Sequence, residues 1–339
     1  MATPSTPHLI PLAYATPSLG MHPSHTLPQK LSAIASAGYT GFELGIDDLV
    51  SFARSYLHNP ELTSTSWPSL LLAAKKVRLL CAPHSLNLTI LMLQPFSQFE
   101  GYHGTRRAEV FEKARHWTQL MDALGCAMLQ VGSNDDPAAS GDTGDIVCDL
   151  RELADLVAPR KVAYENWCWG RHVNTWKQAW DVVRETGREN IGLCLDTFQT
   201  CGGEWADPGT EDGLRELEEG ERLQRWNQSM RQLEMLPKEK IFLLQISDAF
   251  RPPKPIEREQ WSHSLRPPPG MGGYLPVKDM VNAVLKTGYR GWFSVEVFLE
   301  EEHGKEWAEG LEEKWAEDGM RGVRGVLEEC GIQGGEVVE

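Results

Sequence analysis

The 339-residue sequence predicts a single α/β domain, a (β/α)8 barrel of the TIM type, on three observations. Eight short apolar runs alternate with segments whose apolar residues recur at helical spacing, as parallel strands buried on both faces and their covering helices do. Four of the later runs end on an oxygen-bearing side chain: 161–165 on Glu165, 191–195 on Asp196, 241–244 on Gln245 and 292–295 on Glu296. Side chains from different strands meet at the C-terminal rim of such a barrel. The rival is a doubly wound open sheet, but no Gly-x-Gly-x-x-Gly follows a strand and no Walker-type lysine loop is present.

In chain order, residues 1–8 are rich in Pro, Thr and Ser and read as a flexible arm, 9–330 as the barrel and 331–339 as a tail. A first strand is expected over 9–15 and a helix over 28–37, stopped by Gly38. A second strand at 40–44 carries Glu43 and precedes helical stretches at 47–53 and 69–81. The apolar run 88–93 continues into Gln94, and a long helix over 104–124 presents Phe111, Trp117, Leu120, Met121 and Leu124 before Gly125 ends it. Strand four, 127–131, leads to Asn134 and a polar loop at 135–145, rich in Asp, Gly, Ala and Ser. Helices at 146–157, 176–186, 214–235 and 279–287 separate the last strands, and an acidic helix over 300–329 closes the ring.

Hydrophobic residues make up 41% of the chain, enough for a large core, and the formal net charge is −15. That charge excludes an extended nucleic-acid or anionic-membrane surface, yet one or two local arginines still suffice for a small anion. The seven cysteines are scattered with no C-x-x-C pair, as expected of reduced thiols in the cytosol. With no signal peptide and no apolar run of membrane-spanning length, a cytoplasmic protein is expected. A homo-oligomer is compatible with all of this.

Three carboxylates converging at one rim would repel one another without a cation. Glu165, Asp196, Gln245 and Glu296 therefore read as ligands of a divalent metal such as Mg, Mn, Co or Zn, with open positions for substrate. The alternative is helix capping or pairing with arginine. In Trp167-Cys-Trp-Gly-Arg-His172, the imidazole could act as acid or base over the metal or simply make one structural hydrogen bond, and the two tryptophans read as pocket walls. Glu43, Gln94 and Asn134 end strands two to four and are candidates for binding substrate hydroxyls. Arg266, braced by Pro267-Pro-Pro269, suits a carboxylate but also reads as a solvated loop residue.

Gly41-Phe-Glu-Leu44, Leu93-Gln-Pro-Phe96 with Phe99-Glu-Gly101, Tyr164-Glu-Asn-Trp-Cys-Trp-Gly170, Leu244-Gln-Ile-Ser-Asp248 and Gly291-Trp-Phe-Ser-Val-Glu296 together resemble the xylose-isomerase-like barrels. Within these, the chain is most similar to the metal-dependent 3-dehydroshikimate dehydratases. The resemblance implies the same four metal ligands, and it implies that Ser262 and Arg266 meet a substrate carboxylate. It also exposes two departures. Gln199 stands where many relatives carry a histidine that moves a proton, and His263 stands where the family's loop has an arginine.

The expected activity is a hydro-lyase acting on a small carboxylated hydroxy-ketone, 3-dehydroshikimate or a close relative, to give protocatechuate. Glu165, Glu296 and His172 are its expected catalytic groups, and Gln199 would bind a hydroxyl. A sugar or keto-sugar isomerase or epimerase, with Glu165 and Glu296 moving protons, is the first alternative. A catalytically impaired binding or regulatory barrel is the second.

Overall fold

The computed structural model describes residues 10–333 and 336–337; the expected arm at 1–8 and part of the expected tail lie outside the described residues. Strands β1 (Leu12–Ala15), β2 (Gly41–Gly45), β3 (Thr89–Phe96), β4 (Met128–Gly132), β5 (Lys161–Glu165), β6 (Ile191–Asp196), β7 (Ile241–Ile246) and β8 (Phe293–Val295) form a closed barrel. Every neighbouring pair is parallel, and β8 returns to β1 through Leu12↔Phe293 and Tyr14↔Val295. This is the expected (β/α)8 architecture.

Helices α1 (Leu27–Ser36), α2 (Ile46–Tyr56), α3 (Trp67–Leu80), α4 (Gly104–Leu124), α5 (Thr143–Val157) and α6 (Trp176–Thr186) cover the first half. Helices α7 (Thr197–Glu204), α8 (Glu219–Leu233), α9 (Arg258–Ser264), α10 (Val277–Lys286), α11 (Glu300–His303) and α12 (Leu311–Glu329) follow. Gly38 and Gly125 do end α1 and α4, with φ of 90° and 72° that a side chain would disfavour. The segment expected as a loop over 135–145 is a loop only to residue 142, and 143–145 already belong to α5. Asp136 and Asp142 accept hydrogen bonds from backbone N–H groups two residues on, and Asp142 caps α5.

Three differences from the sequence reading have physical causes. Helix α7, Thr-Phe-Gln-Thr-Cys-Gly-Gly-Glu, has poor intrinsic propensity, but the Asp196 Oδ1 accepts from Phe198 N at 2.7 Å and Gln199 N at 3.3 Å and starts the helix anyway. Helix α9 is a seven-residue element in what reads as loop, pinned by the buried Trp261 against Phe198. The acidic helix expected over 300–329 is two pieces, α11 and α12, separated by the non-helical segment 304–310, with Gly310 at φ 82° in the N-cap position of α12.

The barrel interior alternates with period two, as side chains along a strand do. A floor of Ala13, Met92, Met128, Ala163, Cys194 and Leu243 forms its own apolar cluster. Two residues further along five of those strands come Gln94, Gln130, Glu165, Asp196 and Gln245. The same pleat that buries the floor therefore turns polar groups inward at the rim.

Candidate active site

Register sets the ligand geometry. Asp196 lies directly opposite Gln245, and the Glu296 N–H donates to the Ile246 carbonyl at 3.3 Å, so the ends of β6, β7 and β8 are adjacent. Carboxylate oxygens of Glu165, Asp196 and Glu296 fall within 4.8 Å of one another, all three residues buried. Glu43 adds a fourth carboxylate. The amide Nε2 of Gln94 donates to Glu43 Oε2 at 3.0 Å and to Glu296 Oε1 at 2.9 Å, and Gln245 Nε2 bridges the same two groups at 2.8 and 3.0 Å. Glu165 Oε2 accepts from Gln130 Nε2 and, at 3.2 Å, from the Trp167 indole.

Against these carboxylates stands the buried Arg266. Its Nη2 pairs with Asp196 and, at 3.0 Å, with Glu296; its Nε donates to Ser247 at 2.7 Å. The guanidinium carbon lies 4.9 and 5.6 Å from the centres of the Phe198 and Phe298 rings. Arg266 is thus a core residue in a two-residue strand paired with Phe298–Leu299, a correction to its reading as a solvated loop arginine. The tripeptide could not reveal this, since burial depends on partners contributed by β6 and β8.

A cavity of about 270 Å³ opens above this cluster. Glu165, Glu296, Arg266, Gln94, Gln130, Gln199 and Ser262 line it, with Trp167, Trp169 and Phe298 as walls. The two indoles stack with ring centres 5.0 Å apart, as the sequence anticipated for pocket walls. Gly132 is required here, because a Cβ at that position would lie inside the Trp167 ring. Gly132→Ala is accordingly expected to shift the indole that holds Glu165 and to lower kcat/KM on the order of 10²-fold. Steady-state kinetics alongside circular dichroism would check this, an unchanged kcat/KM refuting the positioning role.

Three of the catalytic and substrate-binding candidates do not line the cavity, and the first, Glu43, is fully buried among the rim carboxylates, where Gln94 and Gln245 hold it away from any substrate hydroxyl. His172 lies past the tight Gly170 turn, where Gly170 N–H donates to Trp167 O at 2.8 Å and Arg171 N–H to Asn134 O at 2.9 Å. The chain there bends away from the mouth, and His172 Nε2 sits 3.2 Å from the Ala139 carbonyl in a separate groove with Gly141 and Lys177. Asn134 is spent on structure. Its N–H and Nδ2 bind Glu100, and its Oδ1 caps Asp136. Sequence reasoning missed Gln130, although a glutamine inside the apolar Met-Leu-Gln-Val run was the available signal.

The electrostatics suit a cation. Burial, then Glu296 and Asp196, push Glu165 well above the carboxylate range, with Arg266 opposing. Burial raises Asp196 to about 6 against the pull of Arg266, and burial with Glu296 raises Glu43 to about 8. Glu165 Oε1 and Glu43 Oε1 are buried with no hydrogen-bond partner, which is costly unless something else satisfies them.

A folded chain whose carboxyls titrate above their unfolded values of 3.8 and 4.5 holds extra protons between there and about pH 8. The metal-free protein should then lose stability as pH rises across this window. Glu100 and Glu204, raised by burial to about 7, act in the same direction, whereas His303, held at about 4, opposes below pH 6.5. Melting curves should show Tm falling from pH 6.5 to 8.5, and a divalent ion should reverse the fall. Reversal would assign it to the rim cluster rather than to Glu100 and Glu204.

Among the described residues no helix is long and apolar enough to cross a membrane. The sequence is 36% identical over 277 residues to a 3-dehydroshikimate dehydratase of Pseudomonas aeruginosa, covering 81% of this chain but 36% of that protein. It is 33% identical over 315 residues to a 3-dehydroshikimate dehydratase of Neurospora crassa, covering 85% and 86%. A solved xylose isomerase-like TIM barrel/4-hydroxyphenylpyruvate dioxygenase fusion protein superposes with a TM-score of 0.73 at 30% identity, over 95% of this chain and 43% of that one. The chain thus spans little more than a third of the bacterial relative. Residues 31–321 match the xylose isomerase-like TIM barrel model, a range that runs from within α1 into α12 and includes every residue of the rim cluster. This chain belongs to the xylose isomerase-like TIM barrel family.

Proposed function

We propose that this chain is a metal-dependent 3-dehydroshikimate dehydratase, a hydro-lyase that converts 3-dehydroshikimate to protocatechuate and water. The observation that carries it is the convergence of Glu165, Asp196 and Glu296 beside a buried arginine, in a chain whose relatives bear that name. Glu165, Asp196 and Glu296 would hold a Mg, Mn, Co or Zn ion through hard oxygens. Gln245 would complete the set by turning its amide. Its Oε1 now accepts from the Cys194 thiol at 3.3 Å, and exchanging O and N would aim the oxygen at the carboxylates.

When bound, the ion supplies Lewis-acid polarisation of a ketone. The chain's own groups do the rest. Arg266 and Ser262 orient the substrate carboxylate, Trp167 and Trp169 cover one side of the ring and limit water, and Gln199 binds a hydroxyl. Gln199 cannot carry a proton at neutral pH, and its Oε1 already accepts from Cys168 N at 2.9 Å.

The test is near-ultraviolet absorbance of metal-free protein given 3-dehydroshikimate, with each ion added separately. An ion-dependent rise supports the dehydratase. A flat trace with every ion rejects it and turns attention to ketose isomerisation.

A further inference from the structure

We infer that His263 is the catalytic proton carrier of this site; the inference rests on the dehydratase reading. The titratable groups lining the cavity are Glu165, Glu296, Asp135, Glu259, His263 and Arg266. Glu165 and Glu296 belong to the metal set, Arg266 does not deprotonate in proteins, Asp135 accepts from Gln98 at 3.3 Å, and Glu259 is an exposed carboxylate at the outer edge. His263 is the imidazole of the lining, and imidazole is the side chain suited to giving and taking protons near neutral pH.

The geometry sets its tautomer. His263 Nδ1 lies 2.8 Å from the Glu259 carbonyl oxygen, one turn earlier in α9. A carbonyl only accepts, so Nδ1 carries the hydrogen and Nε2 of the neutral ring carries the lone pair. The ring is braced by Trp169 and Phe298, with centres 5.6 and 5.7 Å away. Phe298 also borders the Arg266 guanidinium, at 5.6 Å, so one aromatic ring indexes the imidazole to the carboxylate anchor. Helix α9 is itself tied down. Arg258 Nη1 donates to the Gly202 carbonyl at the end of α7, and its Nη2 pairs with Asp207 at 2.8 Å. His263 is exposed at the rim, so it can exchange protons with solvent between turnovers.

The proton balance closes on this one residue. Nε2 removes a proton from the carbon beside the ketone, and the C–H electron pair becomes the double bond of the enolate. The enolate re-forms the ketone as the β C–O bond breaks, and the imidazolium delivers the same proton to the departing hydroxyl, which leaves as water. One C–H and one C–O bond break, one O–H bond forms, and nothing is oxidised or reduced. The resulting dienone becomes the aromatic product by shifting a ring C–H proton to oxygen.

The experiment compares wild type, His263→Gln and His263→Ala with 3-dehydroshikimate and a saturating divalent ion. Expected is a fall in kcat of about 10²–10⁴-fold in both variants with KM changed less than about threefold. Loss of a limb from the kcat–pH profile should accompany it, and added imidazole should partly restore His263→Ala. Calorimetric titration with the ion alone should give an unchanged affinity in both variants, which separates a lost proton carrier from a collapsed site. Wild-type kcat in His263→Gln overturns the inference, and so does a loss that appears in KM alone or that imidazole fails to rescue. Absence of product from wild type with every ion instead rejects the dehydratase reading, and the inference with it.

Discussion

Glu165→Gln is expected to abolish ion-dependent product formation, with kcat down on the order of 10³-fold, and at the same time to raise the Tm of the metal-free protein. The two effects share one cause. Glu165 is buried beside Glu296 and Asp196, and its Oε1 has no partner, so the folded chain carries unrelieved repulsion there. Glutamine keeps an oxygen for Gln130 and the Trp167 indole and puts an amide in the unpartnered position. It removes the charge that a cation needs and, in the metal-free fold, the cost of a buried carboxyl that must either ionise beside its neighbours or hold a proton above its unfolded range. A residue kept only for stability would behave the opposite way. Thermal melts at pH 8 with and without a divalent ion, run beside the absorbance assay, check both halves. A lower metal-free Tm in Glu165→Gln would show that the carboxylate is structural.

Arg266→Met should destabilise the metal-free protein by about 3–5 kcal/mol, the usual result of stranding buried charges by removing one partner. Asp196 loses its pair and Glu296 loses the guanidinium at 3.0 Å, while Ser247 loses its donor. A divalent ion should recover part of this loss, since both cations are held by the same carboxylates. The variant should nevertheless bind substrate poorly, because the ion does not replace the fork that meets a carboxylate. Denaturant unfolding with and without Mn or Mg measures the first effect, and KM the second. Arg266→Met with wild-type stability would mean that Asp196 and Glu296 are satisfied without it. Unchanged KM would remove Arg266 from substrate recognition.

The strand rhythm, the helix stops at Gly38 and Gly125 and the four strand-end oxygens were legible in the sequence because they are local. Each is set by the period of one strand or by one residue's backbone freedom. The aromatic lining at Trp167 and Trp169 was legible for the same reason, following β5 directly. Helix α7 was not, because its start is a side-chain cap from Asp196 that overrides poor propensity, and α9 was not, because Trp261 is pinned by a ring from α7.

The choice among polar candidates was likewise beyond the sequence. His172 and His263 look alike as letters beside tryptophan, yet the Gly170 turn carries the first away from the mouth, and the β8 extension brings Phe298 up to the second. Asn134 ends a strand as Gln94 does, but Glu100 from a different loop claims it. By itself the sequence determined the barrel and the ring of oxygens at its rim, since pleat and period fix which way a strand residue points. Only the tertiary structure decided which carboxylate meets which cation and which histidine faces the cavity, because those contacts join residues as far apart as Glu43 and Gln245 through space.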